Sequence, residues 1–348
     1  MGTNDATAPY ATVSKSAPGR APPETLALPS WQAELKAAVR DPAELARLLE
    51  LPATALETSA QTPFPLLVPR GFVARMRKGD ANDPLLRQVW PHAAELTDVD
   101  GFSADPVREQ GLAANGIIRK YAGRALLIAS GACPLHCRYC FRREFPYQSQ
   151  LAARADWSAA IAALRNVSGV TEAILSGGDP LSLSNRRLRE LFERIADTPV
   201  MTVRIHTRFP IAIPTRIDDG LLRVLRDTPL RTVVVVHTNH ANELDAAVEK
   251  ALAALKPEVT ALLNQSVLLA GVNDDVATLA ALSERLFACG VLPYYLHLLD
   301  RVSGAGHFEV DEAAGKNFIA ALRRRLPGYL VPRLARETPR ELSKTVVA

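Results

Sequence analysis

From Arg124 onward, short runs of β-branched and apolar residues alternate with longer stretches in which apolar residues recur three and four apart. The runs cover 125–129, 172–175, 200–205, 231–236, 263–268 and 292–297. Stretches such as 185–196 and 276–288 carry the helical period, so each strand is predicted to feed a crossover helix. Right-handed crossovers build a parallel sheet, and six units rather than eight predict an α/β fold, an open, partial, TIM-like (β/α)6 barrel. Reactive groups in such sheets sit at the carboxyl ends of the strands. Cys133, Gly177-Gly178-Asp179, His206, His237 and Asp300 fall there.

The rest of the chain is less regular. Pro9, Pro18, Pro22, Pro23 and Pro29 lie among Ala, Ser and Thr, which predicts a mobile tail over 1–30. Between 31 and 51 two short helices are expected, the second with Asp41 as N-cap, Pro42 at its first position and Glu44 three residues after the cap. The stretch 63–116 reads as helices and loops without a strand register. The divisions that follow are the tail, an N-terminal helical layer over 31–119, the barrel over 120–332 and a short C-terminal tail over 333–348. With 348 residues, 48% apolar and 22% charged, the chain can bury one large core and a smaller one, which excludes disorder throughout and fibrous repeats. No run approaches the roughly 18 apolar residues of a membrane helix, and the first 30 residues lack the apolar run of a secretory signal. A cytoplasmic location without a membrane partner is therefore expected. Forty-one Lys and Arg against 37 Asp and Glu leave +4, too small a surplus to make nucleic acid the main partner.

Three of the four cysteines, Cys133, Cys137 and Cys140, are spaced C-x3-C-x2-C just after the first of these strands. Three thiolates on one loop suit three corners of a cubane iron–sulfur cluster and leave one iron open to a substrate or cofactor. The alternative is a structural zinc knot with His136 as fourth ligand, although such knots usually draw ligand pairs from two segments. Cys289 lies on the apolar side of a helical pattern and is expected in the core.

The cysteine spacing, with Tyr139 before the third thiol and Gly177-Gly178-Asp179 after the second strand, resembles the radical S-adenosylmethionine superfamily. Further stretches narrow the likeness: Cys140-Phe-Arg-Arg143, Arg204-Ile-His-Thr-Arg208, His237-Thr-Asn-His240, Gln265-Ser-Val-Leu-Leu269, Gly271-Val-Asn-Asp274, Pro293-Tyr-Tyr-Leu296 and Gly306-His-Phe308. They resemble the lysine 2,3-aminomutases over about 69–344. Leu334-Ala-Arg-Glu337, Ser343-Lys344-Thr345 and the short C-terminus are most similar to the branch that supplies β-lysine for elongation factor P.

The resemblance implies an isomerase that interconverts L-lysine and β-lysine with a [4Fe-4S] cluster, S-adenosylmethionine, pyridoxal 5′-phosphate and an external electron donor. It implies a radical route, because the carbon–hydrogen bond to be broken is not acidic. Cys133, Cys137 and Cys140 would hold the cluster, and Gly177, Gly178 and Asp179 would receive the methionine part of S-adenosylmethionine. Without a side chain, Gly178 lets the backbone come close to that amino group; Asp179-Pro180 also reads as a plain turn. His237 and Gln265 would contact the same cofactor, or form a buried polar pair. Lys344 would carry the aldehyde as a Schiff base, where the residues alone suggest a solvated lysine near the chain end. Lys120, Tyr121 and Arg124 match positions around the cofactor phosphate; helix-end cations would look the same. Arg142 matches the arginine for the substrate α-carboxylate. Asp300 and Glu337, both acidic, favour a side-chain ammonium and so lysine, with arginine or glutamate as alternative substrates. Both acids also read as loop charges beside Arg301 and Arg336. The resemblance implies a functional link to an elongation factor P lysyl ligase, and leaves the oligomeric state open. A non-catalytic iron–sulfur or zinc protein is the alternative of a different class.

Overall fold

The computed structural model describes residues 30–52, 62–110, 112–114, 116–147, 157–339, 341 and 343–348. The predicted tail lies outside them, except for Ser30, whose side chain caps the first helix. The strands are β1 (Ala113–Ala114), β2 (Ile117–Tyr121), β3 (Arg124–Ser130), β4 (Glu172–Gly177), β5 (Thr202–Thr207), β6 (Arg231–His237), β7 (Ala261–Val267), β8 (Leu292–His297), β9 (Arg333–Arg336) and β10 (Thr345–Val346). They form one sheet in sequence order. From β3 to β9 every neighbouring pair is parallel, whereas β1, β2 and β10 are attached antiparallel at the two edges. Among the described residues no ladder joins β10 to β1, so the barrel is open.

The six expected strands are β3 to β8. The structure adds β9 as a further parallel strand inside the expected C-terminal tail, and β2 runs across the expected division at 119/120. Helices Ser158–Asn166, Asn185–Ala196, Asp219–Asp227, Ala246–Leu255, Val276–Ala288 and Glu312–Arg325 make the crossovers. Five of them begin at a side-chain cap, Ser184, Asp218, Asp245, Asp275 or Asp311, which satisfies an otherwise unpaired first-turn N–H. No helix among the described residues is long and apolar enough to cross a membrane.

Alternation along the strands separates core from cavity. On β5, Val203 and Ile205 enter the core under the helices, while Arg204 and His206 line an internal cavity. The N-terminal layer is continuous with that core. Trp31, Leu45, Phe72, Leu85 and Val89 belong to the same apolar cluster as Leu175, Val203 and Val234, and Trp31 meets Phe209 edge-on at 5.5 Å. The second helix, Pro42–Leu48, starts as expected, with Asp41 accepting from the Ala43 N–H. Cys289 is buried in the core at the end of the helix Val276–Ala288.

Candidate active site

The loop that follows β3 is held from below by buried ion pairs. Arg138 makes a two-pronged contact with Glu95, which also receives Arg143 at 2.8 Å. Backbone bonds from His136 to Leu67 and from Arg138 to Gln88, 3.0 and 2.9 Å, tie the loop to the N-terminal layer. Arg142 donates from Nε and Nη2 to the two carboxylate oxygens of Glu109, at 2.7 and 3.0 Å, and from Nη1 to Ser176 at 2.8 Å. The loop geometry is therefore set by protein contacts.

Cys133, Cys137 and Cys140 face the cavity from this loop. Burial pushes all three thiols up, Cys140 to about 11, so binding as thiolates requires the positive charge of a metal centre. Among the described residues no three His, Cys, Asp or Glu side chains converge where a single metal ion could sit. His136 is engaged elsewhere. Its Nδ1 lies 2.9 Å from the Pro65 carbonyl and its ring stacks on Phe64. This donor set suits a polynuclear centre bound at three corners rather than a zinc knot.

Gly177 and Gly178 pack against the start of the cysteine loop. Gly177 has φ 112°, and a Cβ at Gly178 would stand 2.6 Å from the Ala132 carbonyl oxygen. The chain itself requires glycine here, whatever binds beside it. Asp179 accepts from the Leu181 and Arg208 N–H groups and from the Thr207 hydroxyl, and so joins the ends of β4 and β5. Burial raises its carboxyl to about 6.

Beneath the loop lies a buried polar hub. Arg208 donates to Tyr139, to Gln88 at 2.8 Å and to Glu243 at 3.0 Å, and Asn239 donates to the Tyr139 hydroxyl at 2.7 Å. The Tyr139 hydroxyl also lies 3.2 Å from His237 Nε2. Burial and the nearby Arg208 charge lower His237 well below the usual histidine range, so its ring is neutral.

Glu337 lies one residue past β9 and also lines the cavity, with Lys120 bridging it to Glu109. Lys344, Tyr121 and Lys120 all donate to Glu337, Lys120 at 3.2 Å. Burial pushes Glu337 up, but Lys344 and Lys120 overcome that and bring it to about 2. Lys120 also pairs with Glu109 at 3.2 Å, and Arg124 stacks on the Tyr121 ring at 4.2 Å. Burial raises Asp300 to about 7, Lys344 pulling it down and Glu337 adding to the rise.

All the candidate site residues read from the sequence line one cavity of about 500 Å3: the three cysteines, Gly177, Gly178, Asp179, Lys120, Tyr121, Arg124, Arg142, His237, Gln265, Asp300, Glu337 and Lys344. A family model described as a 4Fe-4S single cluster domain matches residues 122–207, the stretch holding the cysteine loop and the glycine pair. L-lysine 2,3-aminomutase of Escherichia coli (strain K12) is 44% identical, with 92% of this chain and 96% of that protein covered. The protein of the same name from Haemophilus influenzae is 42% identical over the same shares, and that of Clostridium subterminale 33% identical over 79% of this chain and 67% of its own. The chain belongs to the L-lysine 2,3-aminomutase family.

Family membership makes the chain an isomerase. Sequence reasoning had not reached two groups of cavity residues of this aminomutase fold. Glu109, which joins Arg142 to Lys120, stands in an aperiodic loop and is separated from Arg142 by 33 positions, so nothing in its spacing points to a partner. Tyr294, Tyr295 and His297 of β8 also line the cavity; the ladder between β7 and β8 slips at Asn264/Gln265, so a strict period of two along β8 does not pick them out.

Proposed function

We propose that the chain interconverts L-lysine and β-lysine by a radical route, using a [4Fe-4S] cluster, S-adenosylmethionine and pyridoxal phosphate. The observation that carries this reading is the meeting, in one cavity, of a three-cysteine loop, a lysine beside two cationic or hydroxylic side chains, two carboxyl groups and a buried arginine. Cys133, Cys137 and Cys140 would hold the cluster, which, with an electron from an external donor, would supply the reductive chemistry on S-adenosylmethionine that an unactivated carbon–hydrogen bond requires. Pyridoxal phosphate on Lys344 would supply the conjugated system that spreads the unpaired electron while nitrogen migrates.

The chain's own residues bind and orient. Lys120, Tyr121 and Arg124 offer two cations and a hydroxyl to a phosphate. Arg142, aimed by Glu109 and Ser176, faces the substrate carboxylate. Asp300 and Glu337 face the far ammonium, and a cation between them offsets the burial cost that now raises Asp300. His237 and Gln265 on β6 and β7 contact the nucleoside cofactor.

The test is anaerobic reconstitution followed by incubation with L-lysine, reductant, S-adenosylmethionine and pyridoxal phosphate, with β-lysine read by chromatography. Its absence while about four irons and four sulfides per chain remain bound overturns the reading. Running L-arginine in parallel decides the substrate. The product is proposed to feed a separate ligase acting on elongation factor P, a reading supported by the likeness in 334–337 and 343–345. Cells lacking this chain should then lose the corresponding mass increment on that factor.

A further inference from the structure

His206 occupies the inward face of β5 and lines the cavity, two residues after Arg204. Arg204 is held by Glu172 on β4, with Nε at 3.1 Å from one carboxylate oxygen. His206 has no such partner: its Nε2 is buried and makes no hydrogen bond within the protein. An unpaired buried ring nitrogen costs about 1–3 kcal/mol, so its persistence in a cavity wall points to a group that enters the cavity.

Burial, Arg204, Lys344 and Arg142 are the strongest influences on the ring and hold it neutral. β4 and β5 pair in parallel with Leu175 opposite Ile205, which sets His206 next to Ser176, the hydroxyl that Arg142 bonds, in the wall of the cavity space they share. An anion drawn into that space meets an N–H donor that brings no charge of its own. Arg142 alone leaves room for one. Three of its five donors are already used, by Glu109 and Ser176, so two N–H groups remain for an oxyanion with about four lone-pair sites.

We propose that His206 is a specificity-determining residue that donates from Nε2 to the α-carboxylate of the amino-acid substrate, beside Arg142. This deepens the aminomutase reading and rests on it. The test compares L-lysine with cadaverine, which keeps both amines and lacks the carboxylate, by calorimetric titration of the anaerobic, cofactor-loaded protein. His206→Leu should weaken L-lysine binding roughly 10- to 100-fold, as expected for loss of one hydrogen bond to a charged group, and leave cadaverine unchanged. His206→Gln, which keeps an N–H donor, should recover part of the loss, and it carries the test alone if the leucine variant fails to fold. Equal losses for both ligands, no loss for L-lysine, or weakened binding of S-adenosylmethionine instead would each overturn the proposal. If the unaltered protein neither binds nor converts L-lysine, it is the aminomutase reading that fails.

Discussion

Glu109 shows how much one buried charge can hold in place. It is 4% exposed and contacts both Arg142 and Lys120, so its removal leaves two cations without their shared partner. Glu109→Gln should cost roughly 3 kcal/mol, the lower end for breaking a buried pair because the amide keeps a hydrogen bond, and urea unfolding of the reconstituted protein measures it. Asp300 sets a pH dependence. Burial raises its carboxyl to about 7 in the unliganded protein even though Lys344 pulls it down, and the ammonium of a bound substrate further favours the ionised form. Lysine binding should therefore release a proton below pH 7, with affinity falling by up to about tenfold per pH unit as the pH drops. Asp300→Asn should bind lysine more weakly at pH 8 and show a flat profile. A wild-type profile that stays flat between pH 5.5 and 8 would contradict the role of Asp300.

Among the elements, the strands with β-branched runs and the crossover helices with apolar residues three and four apart were legible because one local period sufficed for each. The caps of those helices are added by the structure, as at Asp311, whose side chain accepts from the Ala314 N–H at 2.7 Å. Asp311→Ala should cost about 1 kcal/mol in denaturant unfolding and leave iron content unchanged. β2 and β9 escaped notice for a physical reason. Ile117-Ile-Arg-Lys-Tyr121 and Arg333-Leu-Ala-Arg336 are short and charged, and tertiary pairing with β3 and β8 holds them in the sheet. Within the site, the cysteine spacing could be read without any fold, whereas Lys344 and Glu337 carry no local signal beyond the family likeness and reach the cavity beside β9 and β10. The glycine pair was expected to make room for a ligand, and the structure adds a demand from the chain itself. Gly178→Ala places a methyl group 2.6 Å from the Ala132 carbonyl oxygen, and the cysteine loop must shift. Reconstituted Gly178→Ala protein should hold less iron and sulfide per chain than the wild type, measured chemically alongside its visible absorbance.

At the scale of the whole molecule, the N-terminal layer and the barrel share one apolar core, so the division expected near 119/120 is not a seam in the packing. Chemical unfolding followed by tryptophan fluorescence, to which Trp31 and Trp90 of the layer contribute, should coincide with the loss of helical circular dichroism; separated midpoints would show two independent units. The strands succeed one another across the sheet in the order in which they are written, with the thiols just beyond β3 and Lys344 just before β10. A ribosome therefore makes Cys133 about 200 residues before Lys344, which at roughly 5–20 residues per second is an interval of about 10–40 s. On the roles proposed above, the growing chain carries its iron-binding thiols for most of that interval before its aldehyde-binding amine exists.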